Sequence, residues 1–161
     1  MRFKPPPSLD SDIPWRVEFR TMEVQPIFKE NMRFSVFVEL LARMITEEEL
    51  DVNLYMPISK CDENMERAHH RDAAYKQKFW FRNTVQGAGV DKFSELSIEE
   101  ILLGKEEAGF PGFKQLIKKY FVIQRNQVTR NAENRLYSSL KEIDAAEKVY
   151  WDSFNFVLKK S

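Results

Sequence analysis

Near its start the chain reads Trp15-Arg16-Val17-Glu18-Phe19-Arg20, an alternation of apolar and charged residues. Side chains of a β-strand point alternately to its two faces. As a strand, this stretch puts Arg16, Glu18 and Arg20 on one face and Trp15, Val17 and Phe19 on the other. A carboxylate between two guanidiniums, on a strand packed from behind, can hold a metal ion together with a polyanionic phosphate. The same spacing also describes a solvated strand face with cross-strand salt bridges, and spacing alone favours that plainer reading.

The other chemistry-bearing side chains carry weaker patterns. His69 and His70 sit with Glu66 and Asp72, and Glu66 and His70 fall four apart on an expected helix. The H-E-x-x-H metal pattern is absent, and adjacent histidines face different ways, so a solvated helix face accounts for them. Cys61 has no partner histidine in a nucleophile motif. Gly87-Ala88-Gly89 precedes no helix with a phosphate-binding lysine, which excludes a Walker or Rossmann loop.

Three stretches, in order, resemble the catalytic subunit of eukaryotic glutamate–cysteine ligase. The first runs from Met1 to Gln25 and includes Arg2-Phe3-Lys4-Pro5-Pro6-Pro7 and the Glu18-x-Arg20 signature. The second is Pro57-Ile58-Ser59-Lys60-Cys61-Asp62-Glu63-Asn64-Met65 with Ala68, Arg71-Asp72-Ala73 and Phe81-Arg82. The third is Gly104-Lys105-Glu106 followed by Phe110-Pro111-Gly112. The resemblance covers about Met1 to Phe121, and the family's chains are several times longer, so the chain resembles a C-terminal piece.

This resemblance implies ATP-dependent ligation of the γ-carboxylate of glutamate to cysteine, the first step of glutathione synthesis. ATP phosphorylates the γ-carboxylate, and the cysteine amine then displaces phosphate from the γ-glutamyl phosphate. Mg2+ is the implied cofactor and ATP a co-substrate. On the matching motif Glu18 would be a magnesium ligand. Arg20 would be the catalytic and substrate-binding residue, contacting glutamate or the transferred phosphoryl group. Arg16 receives no role. The family's other metal-binding glutamates lie on upstream strands, so the expectation is a chain incomplete for catalysis alone. The alternative is a non-catalytic helical fragment or interaction module of the same family. Glutamate, cysteine and ATP are the implied small-molecule partners, with a regulatory subunit or self-association beside them. The resemblance gives Lys60 no chemistry, and a structural turn is expected there.

Composition sets wide bounds. At 161 residues, 43% hydrophobic and 31% charged, the chain can bury one core and does not resemble a disordered segment. Lys plus Arg and Asp plus Glu balance at 25 each, which favours neither a nucleic-acid nor a membrane-surface partner. A single cysteine fits a reducing compartment. Pro5-Pro6-Pro7, Asp10 and Asp12 interrupt any signal-peptide core, and no window is apolar enough to span a bilayer. A cytoplasmic protein is expected.

The elements that must position the candidates follow from periodicity. Residues 1–26 read as an extended lead-in and active-site strand, with a bulge near Thr21 where the apolar phase changes, and an end at Pro26. Residues 27–161 read as helical. Phe34, Phe37, Val38, Leu41 and Ile45 form one stripe of a mostly buried helix over Asn31–Ile45, widened by Val36, Leu40 and Met44, with Glu39 and Arg43 as an i,i+4 pair. Asp62 or Asn64 is expected to cap a second helix running toward Arg82, with Met65, Ala68, Tyr75 and Phe79 as apolar positions. Ser97 and Glu100 form a capping-box pattern, and Gly104 closes that short helix. Phe113–Phe121 is a further helix, and Thr129–Lys159 predicts one long or two shorter ones. The fold class is α+β, mostly helical, one partial domain over 1–161; the resemblance makes it part of a glutamine-synthetase-like catalytic fold.

Overall fold

The computed structural model describes residues 2–18, 25–86, 92–131 and 136–160. Two antiparallel hairpins and six α-helices appear among them. The first hairpin pairs β1 (Arg2–Lys4) with β2 (Arg16–Glu18). Next come α1 (Phe28–Thr46), a 3-10 turn at Glu48–Leu50, α2 (Ile58–Ala68) and the short α3 (Ala73–Lys76). The second hairpin pairs β3 (Phe79–Arg82) with β4 (Phe93–Leu96). The chain then forms α4 (Ile98–Leu103), a 3-10 turn at Glu106–Ala108, α5 (Phe113–Asn131) and α6 (Leu136–Lys160). No helix among the described residues is long and apolar enough to cross a membrane. The α+β, mostly helical class holds.

The core is built from α1, α5 and α6, with α4 and β4 closing one end. Leu40, Leu96, Leu116, Ile117 and Phe154 are fully buried. Phe154 of α6 meets Phe37 of α1 at 6.1 Å and Trp151 at 5.6 Å between ring centroids. Burying each such side chain contributes about 1.5–3 kcal/mol. On α1 the buried line is Phe37, Leu40 and Met44, while Ile45 is exposed. The expected stripe is therefore shifted by one position: a helix packed on α6 along one side leaves its Glu39–Arg43 side to solvent, where the two charges pair at 2.8 Å.

Two expectations for residues 57–82 are corrected. Helix α2 starts at Ile58, directly after Pro57, so Asp62 lies inside the helix and does not cap it. The helix also ends at Ala68, and Phe79–Arg82 is a strand. Phe-Trp-Phe is a strong strand former once a partner is present, and β4 supplies that partner in register, Phe79 opposite Leu96 and Arg82 opposite Phe93. Phe81 then docks the hairpin onto Phe110 and Phe113, at 5.1 and 5.9 Å between centroids.

The third family-like stretch is a backbone crossing. Ser97 accepts from the Glu100 amide while the Glu100 carboxylate accepts from the Ser97 amide, completing the expected capping box. Lys105 pairs with Glu100 at 2.8 Å. Gly104 ends α4, and Gly112 lies against it so closely that a methyl carbon on Gly112 would fall 2.3 Å from the Gly104 nitrogen. Both glycines have positive φ, +103° and +81°. Only residues without a Cβ satisfy that approach and that backbone together.

Candidate functional site

The face that the alternation predicts is carried by the β1–β2 hairpin. Pro5, Pro6 and Pro7 remove backbone donors directly after Lys4, which ends β1 there. The register sets Lys4 opposite Arg16 and Arg2 opposite Glu18, so the alternate positions 2, 4, 16 and 18 belong to one face. Across it, diagonally, Lys4 Nζ lies 3.0 Å from Glu18 Oε2, with the two side chains 43% and 32% exposed. Arg16 is exposed. Arg20, the predicted catalytic residue, lies outside the described residues, as do Phe19 and the expected bulge at Thr21.

Of the expected apolar back of this strand, Phe19 and the Val17 side chain lie outside what the structure describes, and Trp15 departs from expectation. Trp15 precedes β2 rather than belonging to it, and is 67% exposed. With Pro5, Pro6, Ser8 and Leu9 it lines an open hollow of about 380 Å3. Among the described residues, none before Phe37 belongs to the hydrophobic core, so this chain's helices do not cover Trp15.

Glu18 suits a hard cation: its carboxylate is accessible, and magnesium prefers carboxylate oxygen. Among the described residues no group of three or more His, Cys, Asp or Glu side chains could hold a metal ion. The donor set therefore fits one ligand of an ion shared with other carboxylates, and direct ligation would compete with Lys4. The histidines play no part in it. His70 Nδ1 lies 3.1 Å from the Glu66 carbonyl oxygen, where it serves the C-terminal end of α2. Cys61 is exposed on α2.

The second family-like stretch is explained by contacts. Lys60, Glu63, Asn64 and Arg67 share one face of α2 and all engage the second hairpin. Lys60 Nζ stands 3.3 Å above the centroid of the Trp80 ring and 5.5 Å from that of Phe93. Trp80 Nε1 donates to Glu63 at 2.5 Å. The Asn64 amide accepts from the Trp80 backbone N–H at 2.7 Å and donates to its carbonyl at 2.9 Å. Arg67 donates to the Lys78 carbonyl at 2.7 Å and to Glu95 at 2.5 Å. Lys60 thus sits in a helix clamped onto a strand, not in a turn. The i, i+3, i+4, i+7 spacing of these four residues is the signal from which the clamp could have been read. Behind it, buried Arg82 donates to the carbonyls of Tyr55 and Thr84, tying the extended 53–57 segment to β3.

The sequence model of the glutamate-cysteine ligase family matches residues 1–150. The chain belongs to that family. It is 49% identical over 126 residues to glutamate–cysteine ligase of Schizosaccharomyces pombe, covering 74% of this chain and 18% of that protein. It is 57% identical over 82 residues to the Neurospora crassa ligase, covering 51% and 11%. It is 42% identical over 137 residues to the human glutamate–cysteine ligase catalytic subunit, covering 74% and 21%. The chain spans about a fifth or less of the length of these relatives. The match runs past Phe121 to residue 150, so α5 and the first half of α6 belong to the ligase family and the expected limit of the resemblance is corrected.

Proposed function

We propose that this chain forms part of a glutamate–cysteine ligase active site, contributing Glu18 as one magnesium ligand and Arg20 as the contact to glutamate or the transferred phosphoryl group. The observation that carries the proposal is the accessible Glu18 carboxylate on a strand face it shares with Lys4 and Arg16, in a chain of this family. The reaction is ATP-dependent formation of γ-glutamyl phosphate, then attack by the cysteine amine with release of phosphate. Bound magnesium would supply charge neutralisation for the phosphate oxygens. Glu18 would orient that ion from the strand. The Arg20 guanidinium offers a planar fork to a carboxylate or phosphoryl oxygen pair.

The antiparallel pairing of β1 with β2 supports a place for this hairpin in a glutamine-synthetase-like sheet, whose remaining strands would bring further carboxylates. One carboxylate cannot hold several ions, so the 161-residue protein by itself should not turn over. The printed name of the human relative, a catalytic subunit, supports a partner subunit as a proposal for this chain too. The lone cysteine supports a cytoplasmic setting.

A chimera tests this. The matching segment of the Schizosaccharomyces pombe ligase is replaced by this chain, and γ-glutamylcysteine formation is followed under saturating ATP, glutamate and magnesium. The chimera should be active. Glu18→Gln should weaken magnesium dependence and turnover together. Arg20→Lys should lower turnover roughly a hundredfold, the loss of one transition-state contact of about 3 kcal/mol, and Arg16→Lys should be milder. An active chimera indifferent to Glu18→Gln and Arg20→Lys refutes the assignment. A folded but inactive chimera favours the non-catalytic reading.

A further inference from the structure

We infer that the outward face of α2, the row Ile58, Cys61, Met65 and Ala68, is a docking surface for the part of the ligase that this chain does not contain. The occupant is a helix or strand whose apolar row is edged by lysine or arginine. That docking presupposes the reading of this chain as part of a ligase, and names a contact that the reading lacks.

An amphipathic helix ordinarily turns its apolar stripe to the core and its charged face to water. Helix α2 is mounted the other way round. Its polar residues Lys60, Glu63, Asn64 and Arg67 grip the second hairpin. Its apolar residues recur at i, i+3, i+7 and i+10, one stripe of a helix, and all four are exposed. Ile58 is 79% and Met65 60% exposed, and no residue of α2 is buried. The clamp fixes this orientation: turning α2 to bury Met65 would break the two Asn64–Trp80 hydrogen bonds and the Arg67–Glu95 pair. A contiguous apolar row held outward in this way marks an interaction site.

The edge of the row selects the partner. Asp62 and Glu66, one turn apart, run along one side of the stripe, both exposed. Neither makes an ion pair among the described residues. A surface edged by cations complements them. A second copy of this chain does not: two α2 helices packed antiparallel about a two-fold axis set this edge against itself, carboxylate facing carboxylate. The ligase itself offers the other surface. The match covers 18% of the Schizosaccharomyces pombe protein, so most of that polypeptide lies outside it.

The chimera described above tests this, with Cys61, the single cysteine of this chain, as the probe. In the 161-residue protein iodoacetamide should alkylate Cys61 readily. In the chimera, read peptide by peptide in the mass spectrometer, the same alkylation should be slower by about tenfold or more. Ser59→Cys, exposed on the same helix but off the stripe, should react equally fast in both. Met65→Lys should return Cys61 of the chimera to its fast rate and lower the chimera's Tm, while leaving both quantities unchanged in the 161-residue protein. Asp62→Lys should act in the same direction, because it sets a cation against the partner's cations. Equal Cys61 rates in protein and chimera overturn the inference. So does a Met65→Lys that lowers the Tm of the 161-residue protein, since the face would then be used inside the chain. A Cys61 rate that falls as the 161-residue protein is concentrated assigns the face to a second copy and also overturns it. Should Met65→Lys keep the chimera from folding, Met65→Gln carries the same expectations in milder form. Should the parent chimera not fold, overlapping peptides of the Schizosaccharomyces pombe ligase from outside the match are titrated against the 161-residue protein. Binding of apolar, basic peptides that Met65→Lys abolishes supports the docking, and no such peptide refutes it. A chimera with Cys61 protected but activity indifferent to Glu18→Gln fails the site assignment alone. One with Glu18-dependent activity and Cys61 unprotected fails this surface alone.

Discussion

Adding one methyl group at Gly112 should cost the fold about 3–5 kcal/mol, a large effect for so small a change. In the standard position that carbon lies 2.3 Å from the Gly104 nitrogen, 2.3 Å from the Leu103 carbonyl carbon and 2.7 Å from the Leu103 oxygen. All three are backbone atoms, so no side chain can rotate aside. The φ of +81° adds its own strain, roughly 1 kcal/mol for a residue with a Cβ. Relieving the clash means moving the end of α4, where Gly104 N–H donates to the Glu100 carbonyl at 2.8 Å, and that adds about 2–4 kcal/mol more. For a chain of this size, each kcal/mol lowers Tm by roughly 2–4 °C, so Gly112→Ala should melt at least about 6 °C lower and nearer 15 °C. Gly109→Ala is the control. Its φ is +74°, yet nothing lies within 4 Å of the added carbon. It should lose only the conformational part, about 1 kcal/mol. Thermal and urea unfolding of both variants decide the matter. Equal losses would mean that the glycine crossing is not a contact of the folded state.

Asn64→Ala should leave the backbone N–H and carbonyl of Trp80 without their side-chain partner and destabilise the chain by about 1–3 kcal/mol, read from urea unfolding. Glu100 gives a pH signature: the hydrogen bond from Lys105, and after it that from the Ser97 amide, hold its carboxyl below the usual carboxylate range. A depressed folded-state pKa stabilises above the unfolded value of about 4.3 and loses that contribution as pH falls through the folded value. Glu100→Gln should therefore flatten the stability profile on the acid side of about pH 5, and an unchanged slope in urea midpoints would contradict the assignment.

What was legible in the sequence was local. The Ser97–Glu100 box, the Glu39–Arg43 pair and the closure at Gly104 each depend on residues within one helical turn. The errors at Asp62 and at Phe79–Arg82 have different causes: Asp62 lies inside a helix that starts at Ile58, directly after Pro57, whereas Phe79–Arg82 is a strand because β4, many residues downstream, pairs with it. Nothing adjacent to Trp80 announces that its backbone will be clamped by Asn64, 16 residues earlier. Of the candidate site, alternation sets Glu18 on one face with Arg16 but by itself favours a solvated, salt-bridged face. It states which face a residue is on and not whether anything covers that face, so the exposure of Trp15 lies beyond it. The Lys4–Glu18 ion pair is not legible in the sequence because the two residues meet across the hairpin, beyond the reach of any local spacing rule.

That none of the described residues of the first hairpin belongs to the hydrophobic core has a thermodynamic corollary. A two-stranded ribbon is marginal on its own, and among the described residues the apolar cluster begins at Phe37. The β1–β2 amides should therefore exchange with solvent deuterium through local opening of small free energy, while those of α5 and α6 wait for global unfolding. Site geometry and bulk melting temperature then become separate observables. A substitution in the helical body can lower Tm without disturbing Glu18, and a partner that captures the hairpin would raise protection at residues 2–18 while leaving the exchange of the helices almost unchanged.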